Sequence, residues 1–143
     1  MAHVLVTPAA HLVLTRGDLI LLLRRFNTGW GDGNYSLVAG HLNGQETLRD
    51  AMAREAEEEA GLRLRPDDLD IVHVMHRLNN GNERIDFFLS PRQWHGEPTN
   101  KEPHKCDDMR WFPMPELPAN VVPYVRHALD CIRRNVTYSE FGW

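Results

Sequence analysis

The chain has 143 residues, 42% hydrophobic and 25% charged, an ordinary balance for one globular domain, so residues 1–143 are expected to fold as a single unit. A net charge of −4 speaks against general affinity for nucleic-acid phosphates or anionic membranes, and no nucleic-acid or membrane partner is expected. No apolar run approaches the roughly 18 residues of a membrane span, and the first residues lack a basic leader, so a cytoplasmic location is expected, with Cys106 and Cys131 as free thiols.

In chain order, residues 3–15 alternate imperfectly between apolar and polar and read as a strand that Pro8 interrupts. Arg16-Gly17-Asp18 is a turn, and Leu19–Leu23 is an apolar run of strand length. Together the two segments predict a hairpin. Arg24 and Arg25 follow at the strand end, either as solubilising charge or as phosphate contacts. The loop NTGWGDGN over 27–34 precedes a short strand, Tyr35–Ala39.

A helix is predicted over residues 47–60, capped at its start by Thr47 with Asp50 three residues on, and ended by Gly61 at the position that favours positive φ. At ~100° per residue, Leu48, Met52, Ala56 and Ala60 form an apolar stripe. Glu55, Glu58 and Glu59 lie along the edge of that stripe, whereas Glu57 falls on the opposite side. Three carboxylates converging beside a core repel one another and raise each other's pKa. Clustered carboxylate oxygens suit a hard divalent cation, Mg²⁺ above all, or Mn²⁺.

Beyond the helix, Leu69–Leu78 and Arg84–Leu89 read as strands joined by Asn79-Asn80-Gly81-Asn82, a strong hairpin signal. On the return strand Asp86 shares a face with Arg84 and Phe88, either pairing with an arginine or reading a substrate donor. Ser90–Lys105 is a long polar loop with three prolines, and Met109–Phe112 is a further strand. Val121–Arg134 is a helix with Asn120 as its N-cap candidate, Pro123 in its first turn and an apolar stripe of Val122, Val125, Leu129 and Ile132. The closing TYSEFGW carries no clear signal: it packs on the domain, lines a pocket or makes a dimer contact. His73 and His76, three apart on a strand, point to opposite faces and do not chelate together. These elements predict an α+β fold with the sheet between helices.

Gly40, Glu46, Arg54-Glu55, Ala56, Glu58-Glu59, Gly61 and Leu62 stand at the spacing of the Nudix box, which the segment Gly40–Leu62 closely resembles. Ala56 is smaller than the aliphatic residue usual there. The resemblance implies a Nudix-type α/β/α sandwich with a mixed, largely antiparallel sheet. It implies Mg²⁺ held by Glu55, Glu58 and Glu59 with the Gly40 carbonyl, and a further acid from the region of Asp108, with Glu102 and Asp107 as the next choices. Glu55 or Glu58 would serve catalysis directly, with Arg54 holding a box carboxylate and Glu46 supporting the loop. Arg24, Arg25, Tyr35, Arg84 and Asp86 are the expected substrate contacts. The implied reaction is hydrolysis of a nucleoside diphosphate derivative. The short chain and its WFP segment resemble the MutT-like enzymes, so a nucleoside triphosphate, oxidised or not, cleaved to monophosphate and pyrophosphate is expected. ADP-ribose, a dinucleotide, a sugar nucleotide, or a catalytically silent binding module are the alternatives. The resemblance also allows a homodimer. The helix phase has its own test: Glu57→Gln is expected to leave turnover within about twofold of the parent, and a severe loss would show the wheel to be misphased.

Overall fold

The computed structural model describes residues 2–143. Strand β3 (Leu19–Arg25) explains the placing of the core. Its unbroken apolar run is buried on both faces, with Leu21 and Leu23 packing toward α1 (Leu48–Ala60) and Ile20 and Leu22 toward α2 (Pro123–Arg133). A strand sends alternate side chains to opposite faces, so a run apolar at every position must be covered twice. The α1 side collects Ala10, Leu12, Leu89, Met52, Ala56 and Ala60, and the α2 side Val13, Met75, Phe88, Val125, Ala128 and Leu129.

The strands form two sheets between the helices. One contains, in spatial order, β5 (Ala39–His41), β1 (Thr7–Leu12), β7 (Asn82–Pro91), β6 (Leu69–Asn79) and β9 (Tyr138–Phe141). The other joins β2 (Thr15–Arg16), β3, β4 (Tyr35–Ser36) and β8 (Cys106–Pro113), with β8 on β3. The pairings β1–β7 and β6–β9 are parallel and the rest antiparallel. This is the expected α+β sandwich with a mixed sheet, but the sheet is divided.

Four local expectations are corrected. The hairpin around Gly17 forms, but only at its tip, and the long first strand does not run through into it. That strand ends at Leu12, crosses between the sheets through backbone bonds from Leu12 to Val38 and Val13 to Leu89, and only Thr15–Arg16 pairs with β3. Pro8 does not interrupt β1 but is its second residue, in register with Ile85 of β7, and its carbonyl accepts from the Leu42 amide. The segment from Tyr35 to Ala39 is likewise two strands in different sheets. Asn120 is not the cap of α2: its amide donates to the Gly33 carbonyl, and α2 starts at Pro123 without a side-chain cap.

The hairpin between β6 and β7 forms as read, with Asn80 and Gly81 both at positive φ. The closing residues form β9, an edge strand on β6, and the Trp143 indole donates to the His76 carbonyl. Among the described residues no helix is long and apolar enough to cross a membrane. Leu129 is fully buried between α2 and the sheets, and Leu129→Ala is expected to lower unfolding stability by roughly 3 kcal/mol in urea titrations.

Candidate active site

Helix α1 has the ends its sequence specifies. Thr47 accepts from the Asp50 amide at 3.1 Å, and Gly61 takes φ +66° while its N–H closes the last turn. Gly61 has a second use. A Cβ there would stand 2.8 Å from Lys101 Cε and 3.0 Å from Thr99 Oγ1, because the loop after β7 seats on this end of the helix. The amides of Thr99 and Lys101 take up the carbonyls of Ala60 and Glu59, which the helix itself leaves free.

The acids are sorted as the helix phase requires. Glu57 is exposed beside Arg63, Glu55 is largely buried, and Glu58 stands at the solvent margin with a side chain 53% exposed. Arg54 spans the group: its guanidinium bonds Glu46 at 2.9 and 3.2 Å, Glu55 at 2.9 Å, Glu58 at 3.3 Å and the His41 carbonyl at 3.3 Å. Glu46 also accepts the Asn43 amide at 2.7 Å, and its carboxyl is held below the usual range by Arg54 first and that amide second.

Burial, then a hydrogen bond and repulsion from Glu55 and repulsion from Glu102, push the Glu59 carboxyl far above the usual range, against the stabilising amide of Ala39. A carboxyl pushed up in this way keeps its proton unless a cation replaces it. Gly40 presses on Glu55 from β5: a Cβ there would lie 2.1 Å from Glu55 Oε1, so only glycine admits the carboxylate. Glu55, Glu58 and Glu59 line a cleft of about 520 Å³ that Arg24, Arg25 and Lys105 also line. Its donors are hard oxygens, which fits a divalent cation. Among the described residues no three His, Cys, Asp or Glu side chains stand in finished ligand geometry, since Glu55 and Glu59 are turned on each other.

Two expected residues lie elsewhere. The Asp108 carboxylate is bound by the Tyr35 hydroxyl and by Arg110 Nε, the latter at 2.7 Å, and is not in the wall of the acid cleft. Burial alone would raise its pKa, but those two bonds bring it below the usual range. Tyr35 is itself buried, its ring edge-on to Phe112. These two residues support one another, and Glu102, from the loop, takes the place on the cleft assigned to Asp108. That loop is fixed: Asn100 bonds the Glu102 amide and the Cys106 carbonyl, and the Glu102 carbonyl accepts from Lys105 and Cys106. Arg24 reaches Asp107 at 2.7 Å, and Arg25 reaches the Trp30 carbonyl at 2.7 Å, so both arginines are braced at the cleft by neighbours.

Arg84 and Asp86 line an adjoining cavity of about 380 Å³, reached past Arg25, Ala39 and Gly40. Asp86 is fully buried and pairs with Arg77 at 2.6 Å. Sequence reading missed His11, His41, Arg77 and Tyr124, which meet there from four elements and have no shared local pattern. His11 is fully buried, with Nε2 3.0 Å from the Tyr124 hydroxyl, and burial lowers its pKa to about 4 against the opposing pull of Asp86.

A cleft lined by carboxylates and by cationic side chains, seated at a glycine-bearing strand and a capped helix, has the chemistry to hold a divalent cation and phosphate groups. Comparison with known proteins narrows this. The NUDIX domain profile matches residues 5–131, and the chain belongs to that family. It is 29% identical over 116 residues to the NAD-capped RNA hydrolase NudC of Stutzerimonas stutzeri and 30% over 115 residues to that of Pseudomonas putida, in each case 79% of this chain and 38% of the relative's length. The chain thus spans about two fifths of these curated relatives. Among solved structures it resembles a MutT NUDIX hydrolase from Burkholderia pseudomallei, with a TM-score of 0.79 and 25% identity over 87% of this chain and 95% of that one. A NUDIX hydrolase from Nitrosomonas europaea shares the fold at a TM-score of 0.76 and 22% identity, covering 93% and 92%.

The buried imidazole gives a pH prediction. Its pKa is lowered on folding, so the stability it contributes is complete above the unfolded value of 6.5 and is lost as pH falls toward about 4. Urea unfolding is expected to show a loss of roughly 3 kcal/mol across that window that His11→Asn removes.

Proposed function

We propose that this chain is a pyrophosphohydrolase, with residues 1–143 as one catalytic domain, that cleaves a phosphoanhydride bond of a nucleoside triphosphate to give the monophosphate and pyrophosphate. The observation that carries this is the cleft lined together by Glu55, Glu58, Glu59 and Glu102 and by Arg24, Arg25 and Lys105. Acids alone would repel a polyphosphate, and cations alone would merely hold it. The two sets of side chains together suit a substrate that arrives with a divalent cation, Mg²⁺ or in its place Mn²⁺.

When bound, that cation supplies neutralisation of phosphate charge and a more acidic water. Glu55, Glu58, Glu59 and the Gly40 carbonyl would hold it. Arg54 keeps the carboxylates oriented through its bonds to Glu46, Glu55 and Glu58. Arg24, Arg25 and Lys105 bind phosphate oxygens. A carboxylate of the cleft, Glu55, Glu58 or Glu102, accepts a proton from the attacking water as the new P–O bond forms. The bridging P–O bond breaks and its electron pair leaves with pyrophosphate. The intact acid set speaks against a silent binding module, which would have no use for it. A cytoplasmic nucleotide pool would supply the substrate.

A second reading has specific support. The curated relatives are named for NAD-capped RNA, so a dinucleotide, free or at an RNA 5′ end, is the alternative substrate. The expectation of no nucleic-acid partner is set aside to that extent.

The test is a turnover panel of nucleoside triphosphates, NAD, ADP-ribose and NAD-capped RNA with Mg²⁺. Release of pyrophosphate from a triphosphate is expected, turnover of NAD or capped RNA alone would favour the second reading, and inactivity on all of them would overturn both. Glu58→Gln and Glu102→Gln are each expected to cut kcat about a hundredfold or more with thermal stability retained. Unchanged kcat would remove that side chain from the reacting set.

A further inference from the structure

Hydrogen bonds within the chain satisfy nearly every buried polar side chain. Among the described residues, two buried side-chain nitrogens lack a partner, His11 Nδ1 and Arg84 Nε, and both belong to the wall of the cavity beside the acid cleft. Folded proteins leave few such groups, so two in one wall call for a cause. For His11, the Phe87 backbone favours a proton on the ring without closing a bond of good geometry. For Arg84 nothing in the chain supplies the acceptor. Its Nη1 meets His41 Nε2 at 2.9 Å, and its Nε–Nη2 edge is unclaimed.

The wall is also unbalanced. Arg25, Arg77 and Arg84 bring three guanidinium groups, and Asp86 brings the carboxylate. Both Asp86 oxygens already accept from Arg77, at 2.6 and 3.4 Å, and the Tyr124 hydroxyl and His11 Nε2 occupy each other. What remains for a ligand is mostly N–H donors. Trp30 and Tyr124 add flat surface, their ring centroids 6.2 Å apart, with the Arg25 guanidinium 5.0 Å from the Trp30 ring. A volume of about 380 Å³ suits one heterocycle with part of its sugar.

We propose that this cavity selects the base of the nucleotide, and that it takes a ring presenting two hydrogen-bond acceptors side by side. The proposal rests on the nucleotide-hydrolase reading above, which puts the phosphates in the adjoining cleft. An arginine edge offers two parallel N–H groups, which match two neighbouring acceptors. Guanine and hypoxanthine carry such a pair at O6 and N7, and cytosine carries one at O2 and N3. Adenine sets its amino donor between N1 and N7, and uracil and thymine set an N–H between their carbonyls. The selected ring lies against Trp30 and meets Arg84, whose swing onto the ring satisfies the unpartnered Nε.

Binding to the full chain in the presence of a chelator tests this without turnover. GMP, CMP, AMP, UMP and inorganic phosphate are titrated against tryptophan fluorescence, with Trp30→Phe assigning the signal to the cavity. GMP or CMP is expected to bind at least about tenfold more tightly than AMP and UMP, and which of the two leads tells purine from pyrimidine. Arg84→Met is expected to erase that difference. If it does not fold, Arg84→Lys, which keeps the charge but loses the fork, replaces it. Equal affinity for all four bases, preference for adenine or uracil, an order unchanged in the Arg84 variant, or phosphate alone producing the Trp30 signal would each overturn the proposal. Inactivity on every substrate would sink the hydrolase reading while leaving this binding order intact. Turnover without base preference would sink the base selection alone.

Discussion

The structure of the acid cleft depends on Arg54. One guanidinium reaches Glu46, Glu55 and Glu58 together, and also the His41 carbonyl on β5. Without that cation, the box helix would carry a cluster of like charges at the edge of its own apolar stripe. With it, the helix is tied to the loop before it and to the strand that holds Gly40. Side chains of Arg54 and Glu46 are 26% and 18% exposed, enough shielding for such bonds to order the group and enough access for substrate. Arg54 does not reach the half-buried Glu59, which takes an amide from Ala39 and shares its environment with Glu55. The cleft therefore balances an arginine clamp on Glu46, Glu55 and Glu58 against the repulsion that Glu59 meets from Glu55 and Glu102.

The divided sheet gives this clamp its setting. Two short strands, β4 and β5, follow one another in sequence yet lie in different sheets, so the chain passes from the base of the cleft to the position of Gly40 within a few residues. The loop after β7 then crosses to the C-terminal end of α1 and delivers Glu102 and Lys105. Trp94 helps to anchor it, bonding the Thr15 carbonyl and stacking on Trp111, with Arg16 over both rings. A polar, proline-rich segment is thereby held without regular secondary structure.

The adjoining cavity follows a different economy. Arg77 and Asp86 form a buried ion pair, an arrangement that seldom adds net stability because both charges lose their water. Arg77 also lies over the Tyr124 ring, 3.6 Å from its centroid. The pair fixes the floor of the cavity while His11 stays neutral beside it. Rigid, fully bonded groups at the floor and an arginine with unused donors at the side are the features of a recognition pocket more than of a packing defect.

Much of this was legible in the sequence because it is local. Helix α1, its Thr47 cap, its Gly61 stop, the exposed Glu57 and the Asn80-Gly81 turn each follow from spacing and backbone preference within a few residues, and the acids that Arg54 bridges lie within eight residues of it. The errors share the opposite cause. The length of the first hairpin, the single strand at Tyr35–Ala39 and the Asn120 cap failed because partners came from distant segments that periodicity does not reveal. Asp108, the acid the resemblance points to ahead of Glu102, has its carboxylate taken up by Tyr35, 73 residues away. The sequence by itself determined the acidic helix, its caps and the family to which the chain belongs, since those rest on short-range geometry. Only the tertiary structure decided which loop acid reaches the cleft and how His11, Arg77, Arg84, Asp86 and Tyr124 meet in one cavity, because those contacts are made by packing between elements up to 113 residues apart.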